Sequence, residues 1–137
     1  MKRPPVQLLV HVVWSTAQRR AALLPSRDVM LADLLGEKTR SLGCSLLAVG
    51  IADDHVHAVV RLEAALSLAD LVKHLKGASS YAFNEQRLLP APLRWQVGYW
   101  AESVSPSALP QLVPYVRDQR WRHDDAHAAE EWQRSAL

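Results

Sequence analysis

CSLLAVGIADDHVHAVVRL, residues 44–62, contains two apolar, β-rich runs joined by Ala52-Asp53-Asp54. A link this short between strand-forming runs returns the chain antiparallel beside itself. The stretch therefore reads as neighbouring strands, Cys44 to Ile51 and His55 to Leu62, with His55 and His57 opening the second. Side chains two residues apart on a strand leave from one face, so both imidazoles can share one metal ion. Imidazole suits Mn, Zn, Fe or Ni, whereas Mg and Mn prefer oxygen, so two histidines completed by an oxygen ligand would form a mixed site. From the His-x-His spacing alone, an alternating strand with two half-buried histidines is the better explanation.

Upstream, Gln7 to Ser15 is rich in Val and Leu and reads as a mostly buried first strand. Ser26 is placed to cap a helix over about Arg27 to Leu42, with Val29, Met30, Leu34 and Leu35 at helical spacing and Gly43 as the stop. Downstream, Ser67 caps a second helix with Leu68, Leu71, Val72 and Leu75 on one face, running toward Gln86 and ended by LLPAP at 88–92. Leu93 to Ser105, with Trp95, Tyr99 and Trp100, supplies the last strand, broken at Gly98. Ser107 then caps a final helix carrying Tyr115 and Gln119. This order predicts an α+β ferredoxin-like sandwich: one antiparallel sheet with helices on one face, plus an appended C-terminal helix.

The 137 residues, 49% apolar, are enough for one domain with a real core. Four of the fourteen acids lie in residues 124–137, which sets an acidic tail apart from a domain over 1–123 that holds a basic surplus of five. That surplus suits a polyanionic partner, although it is also ordinary solubilising surface. A single cysteine, Cys44, excludes an intrachain disulfide and any multi-cysteine zinc site, and fits a reducing cytoplasm. No apolar run approaches the roughly 18 residues of a spanning helix, so no membrane role is expected. The basic start and short apolar run are interrupted by His11 and read as strand rather than leader.

Tyr115 and Gln119 are four residues apart, so on a helix they share a face one turn apart. A tyrosine can attack a phosphodiester and hold the product covalently if a metal stabilises charge on the phosphate oxygens. A core-edge tyrosine and a surface amide would look the same. Tyr81 has no metal-ligand neighbour, and packing or a DNA contact suits it better. His74 reads as exposed beside Lys73 and Lys76, His11 as a satisfied core histidine, and His123 and His127 as surface. Asp53 and Asp54 form a turn first and partner a ligand histidine second.

Taken together, HVVWSTAQRRAALLP, DDHVHAVV, LKGASS, LRWQVGYWAESVS and VPYVRDQRWRH occur in the order of one family and span His11 to His123. The chain resembles the single-tyrosine HUH transposases of small insertion sequences, the IS200-like superfamily, which includes the REP-associated tyrosine transposases. The resemblance implies that His55 and His57 are metal ligands, Gln119 the third protein ligand and Tyr115 the nucleophile. It further implies a divalent metal (Mg or Mn), a 5′-phosphotyrosine intermediate on single-stranded DNA, hairpin ends as the DNA recognised, and a homodimer acting on the bacterial nucleoid. Two features depart from the pattern: the segment before the histidines reads Ala52-Asp53-Asp54, where relatives often have a proline before the aspartate, and Pro114 directly precedes the tyrosine. Pro114 is expected to kink the helix or delay its start, and a hairpin-binding relative with impaired chemistry is the alternative function. A metal-dependent hydrolase using water is a third.

Three basic sets suit phosphate: Arg19 and Arg20 after the first strand, Lys73 and Lys76 on the second helix, and Arg117, Arg120 and Arg122 flanking the tyrosine. Trp95, Tyr99, Trp100 and Trp121 could stack on unpaired bases or fill the core.

Overall fold

The computed structural model describes residues 6–120, so Trp121, Arg122, His123, His127 and the acidic tail lie outside the described residues. Strands β1 (Leu8–Ser15), β2 (Ser45–Ile51), β3 (His55–Leu62) and β4 (Trp100–Ser103) form one antiparallel sheet in the order β2-β3-β1-β4. Helices α1 (Asp28–Ser41) and α2 (Leu68–Glu85) cover one face, and α3 (Leu109–Arg117) packs against β2 and β3 from the other. The expected sandwich with an appended helix is present.

Strand alternation divides the core in two. Val12, Trp14, Val56, Ala58 and Val60 face α1 and α2 with Leu31, Leu35, Leu71, Leu75 and Phe83. On the opposite face Ala48 and Val59 receive Val116 of α3. An irregularity between Leu46 and Ala48 shifts the β2 register, so Leu46 joins the first layer while Leu47 and Ala48 join the second.

The strand under α3 is small at two points, Ala48 and Gly50. A Cβ on Gly50 would overlap the Val116 carbonyl oxygen and lie 2.8 Å from Cγ of Gln119. Only glycine lets the end of α3 come down here, directly beside His57, which Gly50 faces across the β2–β3 ladder.

Ser67 caps α2 as expected, accepting a bond from the Asp70 amide at 3.0 Å. Ser26 and Ser107 do not cap their helices. Each follows a proline and is taken into a 3₁₀ turn, Pro25–Arg27 or Pro106–Ala108, which moves the helix start to Asp28 or Leu109. The inward positions of α1 are then Leu31, Leu35 and Thr39, while Val29 and Met30 are exposed. Gly43, at φ 79°, ends α1 as the sequence suggests.

The last strand is shorter than expected. Only Trp100 to Ser103 pair with β1, after Gly98 at φ 93°, while Trp95 makes a lone bridge to Thr16. The intervening segment is held by α2 instead: Asn84 bonds both backbone groups of Leu93, and Lys76 Nζ donates to the carbonyls of Gln96 and Gly98. No helix among the described residues is long and apolar enough to cross a membrane.

Candidate active site

β3 carries both histidines on the α3 side of the sheet, because residues 55, 57 and 59 alternate with the core-facing 56, 58 and 60. From their spacing alone the two rings read as half-buried. That expectation is corrected: α3 covers them, leaving His55 5% and His57 0% exposed. Burial pushes the pKa of His57 well below its ordinary value, reinforced by the neighbouring rings of His55 and His11, so His57 is held neutral.

α3 ends at Arg117, so Gln119 lies just beyond the helix, not on it. The geometry of one turn is nonetheless kept, because Gln119 Nε2 donates to the Tyr115 carbonyl at 3.0 Å. That bond fixes which end of the amide is oxygen, and Oε1 lies 3.4 Å from His55 Nε2. On its other side, His55 Nδ1 is 2.7 Å from the Asp54 carboxylate, an acceptor-only group at neutral pH. A neutral His55 therefore carries its hydrogen on Nδ1 and turns a lone pair toward the amide oxygen. Two facing lone pairs make a place that a cation can occupy. Two imidazoles and one amide oxygen form a donor set that fits a divalent metal with mixed nitrogen and oxygen preference.

Asp54 is the hydrogen-bonding partner of His55, the arrangement that the sequence placed second to a plain turn. Burial alone would raise its pKa, but the hydrogen bond and charge of His55 and the Arg19 guanidinium outweigh that and lower it. Arg19 reaches Asp54 at 3.2 Å from a turn in which Gln18 and Arg19 both have positive φ, 57° and 53°.

Tyr115 reaches the same place from α3. Its ring meets that of His57 edge to face, with centroids 5.9 Å apart. The helix runs through Pro114 to Arg117, so the proline neither ends it nor swings Tyr115 away from the histidines. Beside the pair is an open groove of about 340 Å³, lined in part by His11, Glu102, Ser105, Gln111, Leu112 and Tyr115.

The basic residues divide. Arg20, Lys73 and Arg117 are exposed. Arg120, expected at phosphate, is instead bound by Asp28, Asp53 and the Leu23 carbonyl, where it ties the end of α3 to the β2–β3 turn and the start of α1. Lys76 is likewise occupied by two carbonyls, and burial lowers its pKa. Both α2 lysines sit on the layer opposite α3. Trp95 donates to Ser79 and packs edge-on against Trp14, and Tyr99 packs on the core, so neither is a free stacking platform. Tyr81 is exposed on α2, away from the histidines.

Two residues of the site were not singled out in the sequence. Gly50 creates the landing place for α3, and His11, expected as a satisfied core histidine, is satisfied by His57 itself at 2.9 Å. Burial lowers the His11 pKa from the ordinary 6.5 to about 4. The stability that this buried neutral ring contributes is thus present above pH 6.5 and lost as the pH falls toward 4, because the unfolded chain takes up the proton first. Metal-free protein is expected to lose roughly 2 kcal/mol between about pH 7 and pH 5 from His11 alone. Denaturant melts at the two pH values test this, and equal stability would mean that the ring is not held neutral.

A profile of the family described as Transposase IS200 like matches residues 6–119. The ISDra2 transposase TnpA of Deinococcus radiodurans R1 is 27% identical over 119 residues, covering 82% of this chain and 84% of its own. A crystal structure from Deinococcus radiodurans R1, of a protein put forward as a transposase, superposes with a TM-score of 0.68 at 27% identity, over 88% of this chain and 98% of that one. A REP-associated tyrosine transposase bound to a REP hairpin gives a TM-score of 0.65 at 16% identity, over 90% of this chain and 73% of that one, which is a likeness of fold.

Proposed function

Because the chain belongs to the IS200-like transposase family, we propose that it cuts and rejoins single-stranded DNA with Tyr115 as the nucleophile and with His55, His57 and Gln119 holding a divalent cation. One observation carries this reading: the tyrosine and all three ligand candidates converge on one side of the sheet within a single chain, Gln119 Oε1 against His55 and the Tyr115 ring against His57.

In this mechanism the Tyr115 phenolic oxygen bonds to phosphorus as the bond to the 3′ oxygen breaks, leaving a 5′-phosphotyrosine and a 3′-hydroxyl. A second 3′-hydroxyl then attacks the same phosphorus and displaces the phenol, so no external energy source is consumed. The cation, Mg or Mn, would polarise the scissile phosphate and offset charge on its oxygens. Asp54 orients His55, Arg120 anchors the turn beyond α3 that presents Gln119, and the groove beside Tyr115 gives the strand access. Arg20 and Arg117, both exposed, remain the candidate phosphate contacts, whereas Arg19 is held by Asp54 and Lys73 lies on the other layer. Hairpin recognition and a homodimer belong to the same proposal, the former supported by the REP hairpin held by the structural neighbour.

The test is incubation of the full chain with 3′-end-labelled single-stranded hairpin DNA and Mn²⁺, followed by denaturing electrophoresis. A labelled, denaturant-stable protein band is expected, and none with plain duplex. Hairpin binding without the band would leave a DNA-binding protein that lacks the chemistry. Cut DNA without the band would mean attack by water.

A further inference from the structure

The two histidines are held by different kinds of partner. His55 has a carboxylate, but His57 has a second imidazole that no step of the proposed chemistry uses. β1 lies between β3 and β4, and its Val13 is opposite His57 on one side and Trp100 on the other. His11, two residues before Val13 on the same face, is therefore the diagonal neighbour of both. Its ring stacks on His57 with centroids 5.1 Å apart and planes 27° apart, and it meets Trp100 edge-on at 5.2 Å. His11 Nε2 lies 2.9 Å from His57 Nδ1.

Only one hydrogen fits between those two nitrogens. If His11 donates it, neutral His57 must carry its own hydrogen on Nε2 and cannot bind a cation through that atom. If His57 donates it from Nδ1, Nε2 keeps its lone pair and can ligate. We propose that His11 is a positioning residue that accepts from His57 Nδ1–H, and so holds His57 in the tautomer whose Nε2 coordinates the cation. His11 then carries its own hydrogen on Nδ1. The ligand pair is unequal as a result, with His55 backed by a charged acceptor and His57 by a neutral one. Trp100 on the far side of His11 limits the ring's freedom to turn away.

This inference rests on the metal reading above but can be tested apart from it. In metal-free, ¹⁵N-histidine-labelled full-length protein near neutral pH, long-range ¹H–¹⁵N spectra should report His57 as the Nδ1–H tautomer. In His11→Phe, which keeps a ring but offers no acceptor, His57 should move to Nε2–H, and affinity for Mn²⁺ alone should fall about 10- to 100-fold. His11→Gln, which returns an amide oxygen near the Nε2 position, should recover most of that affinity. A wild-type His57 protonated on Nε2, or a His11→Phe protein that binds Mn²⁺ as tightly as wild type, overturns the proposal. Should His11→Phe fail to fold, the wild-type spectrum still decides. Nδ1–H His57 in a wild-type protein that binds no Mn²⁺ would sink the metal reading and leave the role of His11 in placing the proton intact.

Discussion

Tyr115→Phe is expected to lower covalent adduct formation on hairpin DNA by at least on the order of a thousandfold, while stability changes by no more than about 1 kcal/mol. The asymmetry follows from what the substitution removes. The ring, which packs on His57 and the α3 side of the sheet, stays, and only the oxygen that would bond to phosphorus is lost. Mn²⁺ affinity and hairpin affinity should survive, because His55, His57 and Gln119 are untouched. Tyr81→Phe, on the exposed side of α2, should leave the adduct unchanged. An adduct that persists in Tyr115→Phe and disappears in Tyr81→Phe would reverse the assignment.

Gly50→Ala should be severely damaging for the addition of a single methyl group. The new carbon would collide with backbone at Val116, which cannot turn aside as a flexible side chain would, and would sit 2.8 Å from Cγ of Gln119. The end of α3 has to lift, withdrawing the amide oxygen from His55 and weakening the Val116 packing, at a cost of about 2–4 kcal/mol. Gly36→Ala is the matched control. Its Cβ would meet only a Leu46 methyl at 3.7 Å within α1, so it should stabilise the protein by roughly 0.5–1 kcal/mol. Thermal melts of the two variants and adduct assays decide the matter. A Gly50→Ala protein with wild-type melting and activity would mean that α3 is not seated as described.

The sequence revealed the sheet well because its signals were local. The Cys44 to Leu62 run has strand composition on both sides of a three-residue link, and His55 begins β3 where expected. Helix starts were misread for one physical reason twice over: in Pro25-Ser26 and Pro106-Ser107 the proline favours a 3₁₀ turn, which absorbs the serine before it can cap. The pairing of Tyr115 with Gln119 was visible as a one-turn spacing, though it survives through a side-chain bond across the helix end rather than through continued helix. Burial of the histidines was not visible, since it depends on α3 folding back over β2, and nothing near residue 57 records that. His11 was hidden likewise: its contact with His57 requires the β1–β3 register, a relation between residues 46 positions apart. Arg120 and Lys76 looked like phosphate ligands because a basic residue in sequence carries no mark of the acids and carbonyls that will occupy it.

Burial of His57 also has a kinetic side. With none of its surface exposed, its Nε2 cannot be reached by a diffusing cation while the covering helix is seated. The sheet beneath is slow to open, since β3 has a hydrogen-bonded strand along each edge. α3 is nine residues long, and Pro114 denies it one internal bond, so its hold comes from Val116 and its neighbours packed on Ala48 and Val59 and from the Arg120 anchor just beyond its end. Loading and release of a cation would then both scale with how often that short helix detaches. A tighter seat for α3 lengthens the time needed to reach equilibrium without by itself setting where the equilibrium lies.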